Sequence, residues 1–535
     1  MEKDNEKKLE PNQVLHSLNF GRVDAESDNR FENCFIGTDM LRHTLRAQHS
    51  LVLGSKGSGK SAAFRLLCTD KERLRPLFPR NFEDVFPIPV YGLYNEEYVY
   101  GSEFREMKSD SIDEFRYFWL MIIGLRAVTT IAEEPKIRDI VAKSKNQKLK
   151  DAYKTLQQVF EDLSLEPDKG AVSKLKQRVM QLVKPSMKGN GSNDPPQLIL
   201  AEDFKHRTGM SVTAVMDKID TILQEINCTA WLMLDKLDLL FIDDFEKLKS
   251  SITGLVQLLI EQSNRFKNIH FKIFLRSDIY RQLRIVNKSH LISYTSEMKW
   301  SDSLLLKLLV SRAVADPNVR AYCEEQTGME VTVADIINGT DEDVLGMFYV
   351  IFESTMDESD AEVGQFPFVH SWMLKHLTDG MGNVYPREQI HLGNLAVEKQ
   401  LEMNRKEGEH SATRLIGAIA LKEAFAHLSI YRCDTYLYSE FPHLTKHFDV
   451  FRGSPKVRFT RDELNKLFEK LTPNGDEGIR SVHDTGLLTP NGRSVDSSME
   501  FSIPLLYRIG LGVAEKDDSA TKGDKSDDSI LGLKS

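Results

Sequence analysis

Apolar and polar positions along the first 300 residues fall into two alternating patterns. Short, nearly continuous apolar runs read as strands buried on both faces, and stretches with a period near 3.6 read as helices. "SLVLG" at 50–54 is followed directly by "SAAFRLLC" at 61–68, a strand that passes into a helix. "VFPIPVYGLY", near Val85 to Tyr94, predicts a further strand, and "TAWLMLDKLDLLF", Thr229 to Phe241, predicts an apolar strand that ends in an aspartate. "IHFKIFLRSDIY" alternates and ends in Arg276. Strands separated by helical stretches predict an α/β fold, with a parallel sheet covered by helices on both faces and its ligand at the carboxyl ends of the strands. Beyond residue 300 the periods turn helical, in "SLLLKLLVSRAV" and "DIINGTDEDVLGMFYVIFE". Later, "FTRDELNKLFEKL" opens on Thr460 with Glu463 three positions on, the signature of a capping box.

Composition narrows this picture. A chain of 535 residues predicts two to four domains. The expected divisions are a sheet domain over 14–299, a helical region over 300–403 and a C-terminal domain over 411–512. The charged ends, 1–13 and 513–535, lack the apolar residues of a core and are expected to be disordered. Within the first domain, about 111–195 reads as a lysine-rich helical insertion, since 136–188 carries thirteen basic residues against six acidic ones. Its basic face would suit an acidic partner, but few aromatics accompany it, which favours a solvated helical pair. The net charge of −10 argues against wholesale coating of nucleic acid. Five scattered cysteines form no CxxC or Cys/His cluster and read as reduced thiols of a cytoplasmic protein. The longest apolar run, Tyr117 to Leu125, is half of what a bilayer requires, so no membrane partner is expected.

The strongest chemical signal is "GSKGSGKS", Gly54 to Ser61, which satisfies G-x-x-x-x-G-K-[ST]. Glycines let the backbone curl so that the N–H groups of Ser55, Lys56, Gly57, Ser58 and Gly59 face a phosphate. The Lys60 ammonium reaches the terminal phosphates and the Ser61 hydroxyl binds Mg²⁺. Such a loop needs an acid at the end of a second strand to hold the Mg²⁺ water shell, and Asp235 stands there. Arg276, at the tip of a neighbouring strand, could touch the last phosphate or instead pair with Asp278.

Taken together, "LNFGRVDAESD", "CFIGTDMLRHTLRAQHSLVLGSKGSGKSA", "WLMLDKLDLLF" and "FLRSDIY" resemble a group of bacterial P-loop ATPases of the AAA+/STAND type, many of them encoded near antiphage defence or mobile-element genes. "GNVYPREQIHLGNLA" is similar to the helix start of their lid domain, and "GLLTP" with "MEFSIPLLYRIGLG" to their winged-helix-like ending. The resemblance, over roughly 14–512, implies a P-loop domain, a helical lid and a C-terminal winged-helix-like domain. It implies ATP and Mg²⁺ as cofactors, Lys60 and Ser61 on phosphate and metal, Asp235 on the metal shell, Arg276 as a first sensor and Arg387 as a second. One departure stands out: Lys236 occupies the position where the standard enzymes carry the glutamate that orients water. Asp238, three residues past Asp235, becomes the candidate for that task, with a helix N-cap as its alternative. The implied activity is an ATP-driven conformational switch in antiviral defence or stress response, acting as a homo-oligomer or on an effector protein encoded nearby. Two alternatives are a DNA-binding ATPase of origin-recognition or loader type and a pseudo-ATPase that binds nucleotide structurally.

Overall fold

The computed structural model describes residues 10–22, 46, 48–69, 84–92, 111–163, 202, 204–241, 244–263, 265–286, 288–356 and 366–513. The stretch "CFIGTDMLRHT", the second half of the lysine-rich segment and the C-terminal tail lie outside the described residues. The chain divides into two compact units, one built chiefly from residues 35–301 and the other from the N-terminal segment together with residues 302 onward.

In the first unit, five strands form one all-parallel sheet. They are β1 (Leu51–Gly54), β2 (Val85–Tyr91), β3 (Thr229–Leu234), β4 (Ile269–Arg276) and β5 (Thr295–Glu297), in the order β2-β3-β4-β1-β5. Alternate strand residues face opposite sides, as the pleat requires. Leu51, Leu53, Leu232, Leu234, Ile273 and Leu275 pack on one face against the helices Ile112–Glu133, Val212–Glu225 and Phe245–Gln262. Val52, Trp231, Met233 and Phe274 pack on the other against Phe64 and Leu67 of the helix Lys60–Thr69. Both faces are therefore covered, which is why β1 and β3 read as unbroken apolar runs. The wholly buried Lys272 donates through Nζ to the carbonyls of Arg46 and His49, tying the segment before β1 to β4.

Two boundaries differ from the sequence reading. The helix Ile112–Glu133, placed above in the lysine-rich insertion, is a core helix. It is apolar on all sides, and Phe115, Trp119, Ile123 and Ile131 are buried under the sheet. This helix is long and apolar enough to cross a membrane by length and composition, but 78% of its apolar window is buried inside the fold. Of the two helices that follow it, Pro135–Lys143 carries three basic residues against one acid and Gln147–Asp162 balances three lysines with three acids; in both, the apolar stripes (Ile137, Val141, Leu149, Leu156) face inward.

The second correction concerns the N-terminus. Residues 14–22, assigned by sequence to the sheet domain, pack in the other unit, and the helix Pro11–Ser17 includes the end of the stretch 1–13 expected to be disordered. Phe20 is fully buried and stacks on Phe352, while Asn394 brackets it by accepting from Phe20 N and donating to Gly21 O, both at 2.9 Å. Gly393 makes room for this ring, since a Cβ there would come within 2.7 Å of it. Arg312, near the end of the helix Asp302–Val314, is buried and donates to Phe20 O at 2.8 Å.

The second unit is helical from Asp302 to Arg432 and ends in a small antiparallel sheet of β6 (Arg458–Thr460), β7 (Thr489–Pro490) and β8 (Glu500–Ser502), in the order β6-β8-β7. The Thr460/Glu463 capping box is present at the start of the helix Arg461–Phe468. The sequence reading missed the helix Gly475–Asp484 that follows it, whose two glycines and three acids weaken any helical period.

Candidate functional site

β4 lies between β1 and β3, so the carboxyl ends of three adjacent strands converge. In the register of β1 and β4, Gly54 stands opposite Arg276, and Asp235 follows the last residue of β3. The loop from Gly54 to Gly59 turns at this edge, and the helix beginning at Lys60 leaves from it. Gly57 and Gly59 take φ values of +90° and +93°, which side chains resist. Gly54 is required for a different reason: a Cβ there would meet Ser58 Oγ at 2.3 Å.

Lys60 is buried and folds back over the loop, donating from Nζ to Gly54 O at 2.7 Å and Ser55 O at 2.8 Å. Burial lowers its pKa to about 8, a shift that Asp235, Asp238 and Asp278 oppose and Arg276 reinforces. The Ser61 hydroxyl hydrogen-bonds Asp235, so the two residues expected at a metal meet one another. Burial raises the Asp235 carboxyl to about 6 against the pull of Ser61, Lys60 and the Lys236 backbone. Its Oδ2 is buried and has no hydrogen-bond partner among the described residues.

After Asp235 the chain reverses sharply. Lys236 adopts φ 57°, ψ 31°, and a 3₁₀ turn follows over Leu237–Leu239. That turn swings Asp238 back to the strand ends, where its Oδ2 accepts from Arg276 Nη1 at 3.3 Å. Asp238 is therefore held by an arginine within the site rather than capping a long helix. Arg276 also holds Asp278, with Nε to Oδ1 at 3.2 Å and Nη2 to Oδ2 at 2.8 Å. Asp278 is fully buried, yet the Arg276 guanidinium keeps its carboxyl below the usual carboxylate range. The Asp278 pairing weighed for Arg276 is present, and Asp238 is a second, unforeseen carboxylate on the same guanidinium, because an arginine fork can serve two carboxylates at once.

The left-handed backbone at Lys236 carries a strain that a glycine would not. Lys236→Gly is expected to raise stability by about 0.5–1 kcal/mol, measured by urea unfolding at an unchanged slope.

Sequence reading missed two contributors. Asp278 was considered only as a surface partner, and Trp300 only as a boundary; the indole Nε1 of Trp300 donates to Ser58 O at 2.9 Å. No local signal marks that contact, since 242 positions separate the two residues. Arg387 belongs to the other unit, at the second position of the helix Pro386–Glu407, half-buried and with its Nε lacking a hydrogen-bond partner among the described residues.

Among the described residues, no group of three or more His, Cys, Asp or Glu side chains is arranged to hold a metal ion by itself. A hydroxyl and a single carboxylate would suffice for Mg²⁺ only where phosphates and water complete its octahedron. Comparison of the chain with protein-family models, curated proteins and solved structures found no match.

Proposed function

We propose that this chain is a P-loop ATPase of AAA+/STAND type, working as a nucleotide-driven conformational switch. One observation carries the reading: Lys60, Ser61, Asp235, Asp238 and Arg276 gather at the carboxyl ends of β1, β3 and β4 beside a loop of left-handed glycines. ATP would sit with its phosphates on the loop N–H groups from Ser55 to Gly59, their charge met by Lys60 and by the start of the Lys60–Thr69 helix. The residues fit Mg²⁺: Ser61 and Asp235 are adjacent, and the orphaned Oδ2 is an acceptor suited to a metal-bound water. When bound, the metal would neutralise charge building on the transferred phosphoryl group.

Asp238 is the residue best placed to orient water, but Arg276 holds it in the resting arrangement. A terminal phosphate competing for Arg276 would release Asp238, so hydrolysis is expected to be slow until that exchange occurs. Arg387, carried by the helical lid, would act as the second sensor. ATP shifts such a switch only by binding one conformer better than the other. The homo-oligomer, the effector encoded nearby and the defence setting belong to this same proposal.

The DNA-binding alternative is less well supported. In a winged-helix reading of the C-terminal module, the recognition helix expected from sequence is Arg461–Phe468, whose Arg461 and Lys466 are balanced by Asp462 and Glu463; the helix Gly475–Asp484 follows it and stands directly before β7. It carries Asp476, Glu477 and Asp484 against Arg480, which is itself paired with Asp496. Phosphate contact needs a surplus of exposed cations, and on this helix three acids outweigh one exposed, paired arginine. A role in packing and closure suits it better.

The test is Mg·ATP binding and steady-state turnover by wild type, Lys60→Ala and Asp238→Asn. Lys60→Ala is expected to weaken binding by about a hundredfold, the loss of a charge-assisted contact in a buried site. Asp238→Asn should keep affinity and lose turnover. Binding by Lys60→Ala equal to wild type would remove the proposal.

A further inference from the structure

The geometry points to Trp300 as a positioning residue for the phosphate loop, an inference that rests on the nucleotide reading above. β5 runs alongside β1 as far as the pair Leu53–Glu297, and Met298 N then donates to Leu53 O at 2.8 Å. The chain thus follows β1 up to the point where the loop departs. Two residues later the half-buried indole of Trp300 reaches over the loop and donates Nε1–H to the Ser58 carbonyl.

The consequence follows from the planarity of the peptide. In a trans peptide, C=O and N–H point in opposite directions. Holding the Ser58 carbonyl on the indole therefore turns the Gly59 N–H the other way, and that N–H is one of the donors a phosphate loop offers its anion. The peptides on either side are held by backbone hydrogen bonds, Ser58 N to Ser55 O at 3.2 Å and Ala63 N to Gly59 O at 3.0 Å. Between them, Gly59 has no side chain, and the buried Ser58 hydroxyl has no partner among the described residues. The ring braces this peptide together with Met298: the indole Cζ2 and the Met298 methyl each lie 3.8 Å from where a Gly59 Cβ would stand, in ordinary van der Waals contact, and only the indole adds a hydrogen bond.

Trp300 also stands one residue before Ser301, where the sheet unit ends and the chain passes into the helical one. The segment Met298–Ser301 is thus both the brace of the loop and the covalent exit from the unit. A change in its course reaches the Ser58–Gly59 peptide through a single hydrogen bond, and a phosphate that reorients that peptide reaches the exit by the same path. Trp300 acts here through the loop and does not itself take part in the chemistry.

The test compares full-length wild type, Trp300→Phe and Lys60→Ala. Mg·ATP affinity is measured by calorimetry, tryptophan fluorescence is followed during the titration, and the unfolding midpoint is measured without ligand. Phenylalanine keeps a ring against Gly59 but removes the N–H. Trp300→Phe is expected to bind Mg·ATP about fivefold more weakly, the scale of one lost hydrogen bond. Its ligand-free midpoint should match wild type, and the fluorescence change that ATP produces in wild type should be absent. Unchanged affinity, or a fluorescence response that persists in the variant, would overturn the inference and leave the nucleotide site standing. A ligand-free midpoint lowered by several degrees would also overturn it, because the indole would then be holding the fold and not the loop. If wild type fails to bind Mg·ATP, the nucleotide reading falls and this inference with it.

Discussion

Asp235→Asn should abolish Mg²⁺-dependent turnover and, at the same time, make the ligand-free protein more stable at pH 7. The two effects share one cause. Burial raises the Asp235 carboxyl from 3.8 to about 6, so the fold pays to keep that carboxylate ionised at neutral pH. A carboxyl raised above its unfolded value leaves stability intact while protonated, below about pH 4, and costs stability as pH rises through the folded value near 6. Asparagine removes the cost. With Lys60 losing part of its compensating charge, the net gain is expected to be about 1–2 kcal/mol. The difference in unfolding free energy between variant and wild type should be near zero at pH 4, grow up to pH 6 and then stay level. Turnover should fall by about a hundredfold or more, since the acid proposed to hold the metal shell is gone. In wild type, Mg²⁺-dependent ATP binding should weaken below about pH 6, as Asp235 takes up its proton. A variant with unchanged turnover, or one less stable than wild type at pH 7, would reject the assignment.

Glu388→Gln is expected to cost about 3–5 kcal/mol in stability, the largest single loss anticipated in the helical unit. Glu388 and Arg432 form an ion pair with both side chains at 5% exposure or less, joining the start of the helix Pro386–Glu407 to the end of the helix Ala418–Arg432. Burial alone would lower the Arg432 pKa. Glu388, with Tyr507 and Tyr436, outweighs it and holds the guanidinium well above its usual range. The guanidinium also lies 3.5 Å from the centre of the Tyr436 ring. Removing only the carboxylate charge leaves a buried cation without the anion it is paired with, a loss that the Tyr436 ring and Tyr507 make up only in part, and that is where the cost arises. Glu388→Leu combined with Arg432→Met should recover most of the loss, because an apolar pair needs no charge partner. Urea unfolding of both variants decides the matter. A loss below about 1 kcal/mol in Glu388→Gln would mean that water or Asp379 already serves Arg432.

What the sequence determined by itself is local. The glycine loop, the apolar run that leads into it, the helix after it, the aspartate at the end of β3 and the Thr460 cap each depend on residues within a few positions of one another. Periodicity, propensity and capping act over that range, so all of these could be read along the chain. A parallel sheet also follows, because apolar runs separated by helical periods leave few other ways to bury both faces, although its short fifth strand, Thr295–Glu297, was not among the runs read.

What the tertiary structure decided depends on strand order and on contacts between distant segments. Asp238 meets Arg276 across 38 positions only because β4 lies beside β3 and Lys236 turns the chain back. Arg276 looked like a choice between phosphate and Asp278, and the fold supplies a fork that holds two carboxylates. The helix Ile112–Glu133 joined a basic segment by its neighbours in sequence and joined the core by its own apolar surface. Phe20 was grouped with the sheet by proximity along the chain, yet its ring finds its socket beside Gly393 and Asn394. Trp300 carried no signal at all, because one indole hydrogen bond to a carbonyl 242 residues away leaves no period, spacing or composition to read.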